Sequence, residues 1–413
     1  MKQRRLGFAI HDLNSWGGQD RSVMEIARRL SRRFDVDIFS YSLNDPLGQE
    51  SWGVGTRFHS IRPYLQKPFV TKMGIFYGAT LPHMILGPML KGERRPLIHA
   101  TGTCSLLADV VQIQFIAATW EEEQKKILLN PAARRAYSPP FARGANGAKA
   151  RALGFYHQAL NRYDIWKEHQ FYQSDKTYIV IARRLAEEMK NHFGITKKIH
   201  VIHHGVDSEQ FRPATTSADF DGRKALRAQW RVREDESVAI FVGAYERKGL
   251  APTIEALASL SEAHRKKVRL VAVGDGAVSG FEDLARELGV AEQVVFIQHQ
   301  KDVAPYYRAA DFFILPTFYE PFGLVILEAM ASGLAPLVSR GAGASELIED
   351  GNSGLLIQDP VDARAIASQI GRWITKPDER KRVGEAARAI AVARSWDRVA
   401  DEYANVLNPE LTG

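Results

Sequence analysis

Two glutamates stand eight positions apart in "YEPFGLVILEAMASG", residues 319–333. Glu320 precedes an apolar helical run and Glu328 sits in its middle. A carboxylate is an acceptor with two oxygens, and once buried it needs a partner. Eight helical residues cover about 12 Å. Carboxyl pairs that share acid–base work on a glycosidic bond lie roughly 5–9.5 Å apart. The spacing therefore suits two anchors for hydroxyls at opposite ends of a long ligand with an anionic centre. A sugar nucleotide, with sugar, diphosphate and ribose in series, has that form. The plainer alternative is a Glu320 that caps a helix and a Glu328 held in a salt bridge.

An anionic centre calls for cations and free N–H groups. Pro321 suits a helix start, Gly323 admits a ligand close to the backbone, and Phe322, Gly323 and Leu324 fall where a helix N-terminus offers N–H donors. In "FVGAYERKGL" a strand ends at Gly243, and Arg247 and Lys248 follow in the loop before a helix. Arginine suits a bidentate phosphate contact and lysine a point charge. The pattern is not GxxxxGK[ST], so this is no P-loop. "VGDG", ending at Gly276, is a strand-to-helix turn, and "HQKDV", residues 299–303, is placed to edge a nucleobase. "HDLNSWGGQD" follows the first strand, and Gly17 and Gly18 make it a loop able to lie against phosphate or acceptor. Each of these turns, taken singly, also reads as an ordinary loop, and the Arg-Lys pair as surface charge.

The elements that must position these residues alternate along the chain. "LGFAI", "VDIF", "PLIHATG", "DVVQIQFIAA" and "IHVIHHG" are strands of a first series, with the helix "IARRLAEEMKNHFG" stopping at Gly194. A second series begins with "VAIFVGA" and continues with "RLVAVGDG", "VVFIQ", "DFFILP", "APLVSR" and "SGLLI". Continuous apolar strands separated by helices predict buried parallel sheets. The chain thus reads as two Rossmann-like domains, with a linker in "RPATTSADFDG" after Asp207 and a last helix around "SWDRVADEYANVL". Residues 131–153, rich in Pro, Gly, Ala and Arg, read as a mobile surface loop.

With 413 residues, 45% hydrophobic and 25% charged, the chain has room for two domains. One cysteine, Cys104, excludes an intrachain disulfide and a cysteine-built metal site, and fits a reducing compartment. The basic start has too short an apolar run for a secretory signal. Met73–Leu90 carries no formal charge, but its prolines and glycines suit a buried helix broken at Pro82 better than a membrane span. Residues 1–200 hold 30 Lys/Arg against 17 Asp/Glu (+13), and residues 201–413 hold 25 against 31 (−6). That asymmetry points the first half at something anionic, or is a solvated basic surface.

Together, "HHGVD", "FVGAYERKGL", "VGDG", "DVAPYYRAADFFILPTFYEPFGLVILEAMASG", "GASELIEDGNSGLLI" and "SWDRVADEY" resemble a retaining glycosyltransferase of family 4. The resemblance is dense from about Val201 onward; in the first half it rests on topology and the glycine loop. It implies the GT-B arrangement: two Rossmann-like domains facing each other across a cleft, with the final helix crossing back to the N-terminal domain. The implied boundaries are 1–207 for acceptor binding, 208–393 for the nucleotide-sugar, and 394–413 for the returning helix. By resemblance Glu320 faces the donor sugar and Glu328 binds ribose. Phe322, Gly323 and Leu324 offer N–H groups, Arg247 and Lys248 hold the diphosphate beside Gly243 and Gly276, and Gly18 approaches from the other domain. Relatives carry a histidine near the donor sugar; the matching "QFIAATW" has none, leaving Thr119, Gln114 and His11 as substitutes.

The expected activity is transfer from a UDP- or GDP-linked sugar to a glycan or lipid-linked hydroxyl with retained configuration, in cell-surface polysaccharide or glycolipid synthesis. No metal or other cofactor is expected, since Arg247 and Lys248 can neutralise the diphosphate. The expected location is cytoplasmic, with peripheral contact to an anionic membrane face through residues such as Phe69, Met73, Phe76, Tyr77 and Met84; the alternative for these is core packing. The alternative function is a non-catalytic nucleotide-sugar-binding scaffold of the same fold. No nucleic-acid-binding signature is present.

Overall fold

A computed structural model describes residues 5–14, 18–44, 48–61, 76, 80–129, 147–172 and 175–412. The chain forms two compact units, one of Met1–Ala117, Tyr163–Gly205 and Trp396–Gly413, the other of Ala118–Arg162 and Val206–Ser395.

The first unit is built on seven parallel strands: β1 (Leu6–Ala9), β2 (Val36–Ser40), β3 (Arg57–Ser60), β4 (Leu97–Thr101), β5 (Val110–Ile113), β6 (Thr177–Val180) and β7 (Ile199–Val201). Their order is β3-β2-β1-β4-β5-β6-β7, so the winding reverses between β1 and β4. The central strands are buried along their whole length, and β3 and β7 are more open. Apolar runs without alternation have this fate because helices cover both faces of a parallel sheet. Helix α1 (Gly18–Leu30) buries Val23, Met24, Ile26, Ala27 and Leu30. Next in the chain come α2 (Ala117–Leu129) and α3 (Gly147–Phe171), which are grouped with the second unit between Ala118 and Arg162, and then, in the first unit, α4 (Arg183–Phe193). The last of these stops where Gly194 turns left-handed, φ 68°.

The second unit repeats the plan with six parallel strands: β8 (Ser237–Val242), β9 (Val268–Gly274), β10 (Val294–Gln298), β11 (Phe312–Leu315), β12 (Ala335–Ser339) and β13 (Leu355–Ile357). Their order is β10-β9-β8-β11-β12-β13, with the reversal between β8 and β11. Its helices include α5 (Ser217–Gln229), α6 (Leu250–Ser259), α7 (Ala304–Ala309), α8 (Leu324–Ala331) and α9 (Pro377–Val392). The final helix, α10 (Trp396–Thr412), belongs to the first unit. There Asp397 pairs with Arg29 of α1 at 2.9 Å, Asp401 pairs with Arg33, and the Tyr403 ring lies 5.9 Å from that of His99.

Three local expectations change. The polar stretch after Asp207 is helical from Ser217: Thr216 and Asp219 form a reciprocal capping box, and Arg212 holds Asp219 at 2.7 Å. Of residues 131–153, the part from Gly147 is the first turns of α3, and 131–146 lie outside the described residues. Pro82 does not break its helix. It opens a widened π turn, Pro82–Leu86, where an N–H is not required, and Gly87–Leu90 continues it. Phe76 and Met84 are core, whereas Leu86, Met89 and Leu90 are exposed; Phe69, Met73 and Tyr77 lie outside the described residues. Among the described residues no helix is long and apolar enough to cross a membrane.

Candidate active site

In an open parallel sheet, loops at the carboxyl ends diverge at the point where the winding reverses and leave room there for a ligand. In the second unit that point lies between the loops following β8 and β11. The first carries Gly243, Arg247 and Lys248; the second carries Glu320.

The loop after β8 is a tight turn. Gly243 N–H donates to Val273 O (2.9 Å), and Lys248 N–H to Ala244 O (3.1 Å). Gly243 has φ 137°, and a Cβ there would fall 2.4 Å from Lys248 Cδ. The missing side chain lets the lysine stem lie back over the strand end. Tyr245 fixes the turn from below: fully buried, it donates its hydroxyl toward Ala272 O (3.0 Å) and Ile297 O (2.8 Å). A Cβ on Gly276 would meet that ring at 2.6 Å, so this glycine is a packing requirement of the tyrosine.

Glu320 is not helical. Its N–H donates to Gly341 O (3.0 Å), and its carbonyl accepts from Gly343 N–H (2.9 Å). These bonds clamp it against the loop after β12, as an isolated bridge with Ala342. Lys248 Nζ lies 3.1 Å from Glu320 Oε2, and Arg247 Nη2 3.8 Å from the same oxygen. The side chains of Glu320 and Lys248 are 13% and 12% exposed. At 3.1 Å the ammonium and the carboxylate oxygen form an ion pair. Burial pushes the Glu320 carboxyl up, but Lys248 and Arg247 outweigh it and hold the group below its ordinary value.

Between the two acids the chain turns at Gly323, φ 95°, and α8 begins at Leu324. A Cβ on Gly323 would crowd Ile326 Cδ1 at 3.0 Å and Glu320 Cγ at 3.2 Å. Phe322 O accepts from Ala344 N–H (2.8 Å), which ties the turn to the same loop that clamps Glu320. The first N–H groups of an α-helix lack the usual i−4 acceptor and concentrate the positive end of its dipole; here Ile326 N–H turns back to Gly323 O (2.9 Å), and Leu324 N–H lies before it at the helix start. Further along, Glu328 is buried, with the Tyr307 hydroxyl 3.3 Å from its Oε2. Sequence reasoning asked for a partner and did not find this one. The only signal was a tyrosine in the short apolar helix "APYYRA". His299 of "HQKDV" stands 3.6 Å from Asp275, both exposed, at the ends of β10 and β9.

Gly18 opens α1 in the first unit, and Gly17 lies outside the described residues. Of the histidine substitutes, Gln114 is engaged by α1, with Nε2 3.0 Å from Ser22 Oγ. His11 packs against Tyr41 and Phe76, with Nδ1 3.6 Å from Cys104 Sγ. Thr119 is buried, and among the described residues its hydroxyl has no hydrogen-bond partner. Three aspartates of the chain's two Asp-x-Asp triplets are held in structural pairs. Asp35 and Asp37 bind Arg5 (3.1 and 2.7 Å), and Asp219 binds Arg212 (2.7 Å).

Two parallel-sheet Rossmann-like units, each with a winding reversal, and a last helix that returns to the first define the GT-B fold. Solved structures share this fold. WaaG, a glycosyltransferase of lipopolysaccharide biosynthesis, superposes with a TM-score of 0.71 at 20% identity over 99% of this chain and 100% of that one. Anabaena HepE, in complex with UDP and glucose, gives 0.67 at 19% identity over 98% and 99%. A family model described as "Glycosyl transferases group 1" matches residues 222–390, and one described as "Glycosyltransferase Family 4" matches residues 126–210. Over these two stretches the chain is similar to the group 1 and family 4 glycosyltransferases. The D-inositol 3-phosphate glycosyltransferase of Streptomyces scabiei is 31% identical over 56% of this chain and 53% of its own length. The lipopolysaccharide glucosyltransferase WaaG of Escherichia coli is 26% identical over 64% and 71%. The matched stretch thus spans about half the length of the Streptomyces relative.

Proposed function

We propose that the chain transfers a sugar from a UDP- or GDP-linked donor to a hydroxyl of a glycan or lipid-linked acceptor, with retention of anomeric configuration. One observation carries the reading: a largely enclosed, ionised Glu320 held by Lys248 at 3.1 Å and Arg247 at 3.8 Å, at the reversal point of the second sheet. Anabaena HepE, which shares the fold, was solved with UDP-glucose, and this supports a nucleotide-sugar donor. The names of the two WaaG matches support a role in cell-surface glycan synthesis.

In this reading Lys248 and Arg247 take the diphosphate, Gly243 and Gly276 keep the strand ends open to it, and the N–H groups of Phe322, Gly323 and Leu324 add donors. Glu320, relieved of its cations, accepts hydroxyls of the donor sugar, and Glu328 accepts those of ribose. The bond from the anomeric carbon to the phosphate oxygen breaks with its electron pair going to the diphosphate. The acceptor oxygen bonds the same face of that carbon, and its proton passes to the departing phosphate oxygen. The protein's part is to stabilise the charge growing on the leaving group. The cations Lys91 and Arg94, next to exposed Leu86, Met89 and Leu90, support peripheral contact with an anionic bilayer. Co-sedimentation with phosphatidylglycerol vesicles that is unchanged in a Leu86→Asp/Met89→Asp variant would remove that contact.

The test is a thermal-shift panel of nucleotide sugars, followed by assay of donor consumption with and without acceptor. One UDP- or GDP-sugar should raise the melting temperature, and its consumption should require acceptor. Binding without any acceptor-dependent turnover selects the scaffold reading. An α-donor yielding a β-linked product by NMR rejects retention.

A further inference from the structure

Tyr307 lies on α7, and none of its side chain reaches solvent. Its ring is fixed by edge contacts with Phe211 at 6.0 Å and Phe313 at 6.2 Å between centroids. Its hydroxyl is 3.3 Å from Glu328 Oε2 and 3.3 Å from the carbonyl oxygen of Val325, both on α8. A phenol carries one proton near neutrality, so these two acceptors share it. Glu328 ends a chain of rotatable bonds, and a fixed donor on one oxygen restricts where the other points. Ser332 reinforces the same residue from behind, its hydroxyl donating to the Glu328 carbonyl oxygen at 2.8 Å.

We propose that Tyr307 is a positioning residue: it holds the Glu328 carboxylate in the orientation that accepts the hydroxyls of ribose, so that the site prefers ribonucleoside diphosphates to their 2′-deoxy counterparts. The inference rests on the donor reading above. A carboxylate only accepts hydrogen bonds, and a pre-oriented one in a buried place loses most when the expected hydroxyl is missing. A carboxylate free to swing toward water loses less. Tyr307 therefore acts on the difference between two ligands rather than on the affinity for either alone.

The test is calorimetry on the full chain with UDP against 2′-deoxy-UDP, and GDP against 2′-deoxy-GDP, using the wild type, Tyr307→Phe and Glu328→Gln. Wild type should bind the ribo form of its preferred base about tenfold more tightly than the deoxy form. Tyr307→Phe should shrink that ratio about threefold, mostly through weaker ribonucleotide binding, and Glu328→Gln should shrink it at least as far. An equal loss for both forms in Tyr307→Phe means that the tyrosine merely supports α8, and overturns the proposal. An unchanged ratio overturns it as well while leaving the donor reading intact. A wild type that binds none of the four nucleotides overturns the donor reading and this proposal with it.

Discussion

Gly243 and Lys248 are sterically matched: a Cβ on the glycine would fall 2.4 Å from the lysine Cδ and 3.0 Å from its Nζ. The left-handed backbone at position 243 and the reach of the lysine toward Glu320 are therefore one feature. The bare strand end leaves room for the stem on the path that brings the ammonium to 3.1 Å from the carboxylate oxygen.

Gly243→Ala should accordingly fail twice. At φ 137° an alanine is strained, at a cost of about 1–3 kcal/mol, and its methyl group evicts the lysine stem. A lowered melting temperature together with lost nucleotide-sugar binding is expected. A variant that melts and binds like wild type would show that the lysine does not depend on this space.

Lys248→Ala should leave the fold intact, because Arg247 remains 3.8 Å from Glu320 and keeps the largely enclosed acid paired. Turnover should drop about 100-fold, the scale for loss of one pre-oriented donor at a developing negative charge. Steady-state kinetics beside a melting curve separates the two effects. Undiminished turnover would take the lysine out of the mechanism.

If Lys248 and Arg247 hold the diphosphate as proposed, they supply the charge that a divalent ion would otherwise bring. Activity should persist within about twofold in excess EDTA, whereas Lys248→Ala should not be rescued by Mg²⁺ or Mn²⁺. Complete loss of turnover in chelator, restored by either ion, would contradict this.

His99 sets a pH limit on the first unit. It is buried on β4 against Phe8 and Tyr403, neither ring nitrogen finds a hydrogen-bond partner among the described residues, and burial pushes its pKa from 6.5 down to about 3. The folded state keeps it neutral while the unfolded chain takes up a proton, so its contribution to stability is complete above about pH 6.5 and lost as the pH falls from there toward 3. His99→Phe should remove up to about 1.4 kcal/mol per pH unit of the acid slope between pH 6 and 4. Urea midpoints measured across that range give the slope. Parallel curves for the two proteins would show that the imidazole does not titrate with unfolding.

The sequence reveals the strands that helices cover from both sides, such as β8 and β11, because such strands cannot afford polar residues. It hides β3, whose "RFHS" lies toward the sheet edge and keeps a polar pattern, and β6, whose "TYIV" runs almost directly into the following helix. The start of α5 was legible in principle through the T-x-x-D spacing of Thr216 and Asp219, but the surrounding polar text resembles a linker. In the site, the charged residues could be read because a buried charge needs a reason. Tyr245 and Tyr307 could not, because an aromatic residue in an apolar stretch looks like filling until its hydroxyl is seen to reach a carbonyl or a carboxylate.

The return of α10 to the first unit bears on any attempt at dissection. A gene truncated after codon 205 would encode all seven strands of the first sheet yet omit the segment that caps it. Arg29 and Arg33 would lose their acids, and His99 would lose the ring of Tyr403. Such a fragment would expose a greasy flank and aggregate, and supplying residues 396–413 as a separate peptide should restore its solubility.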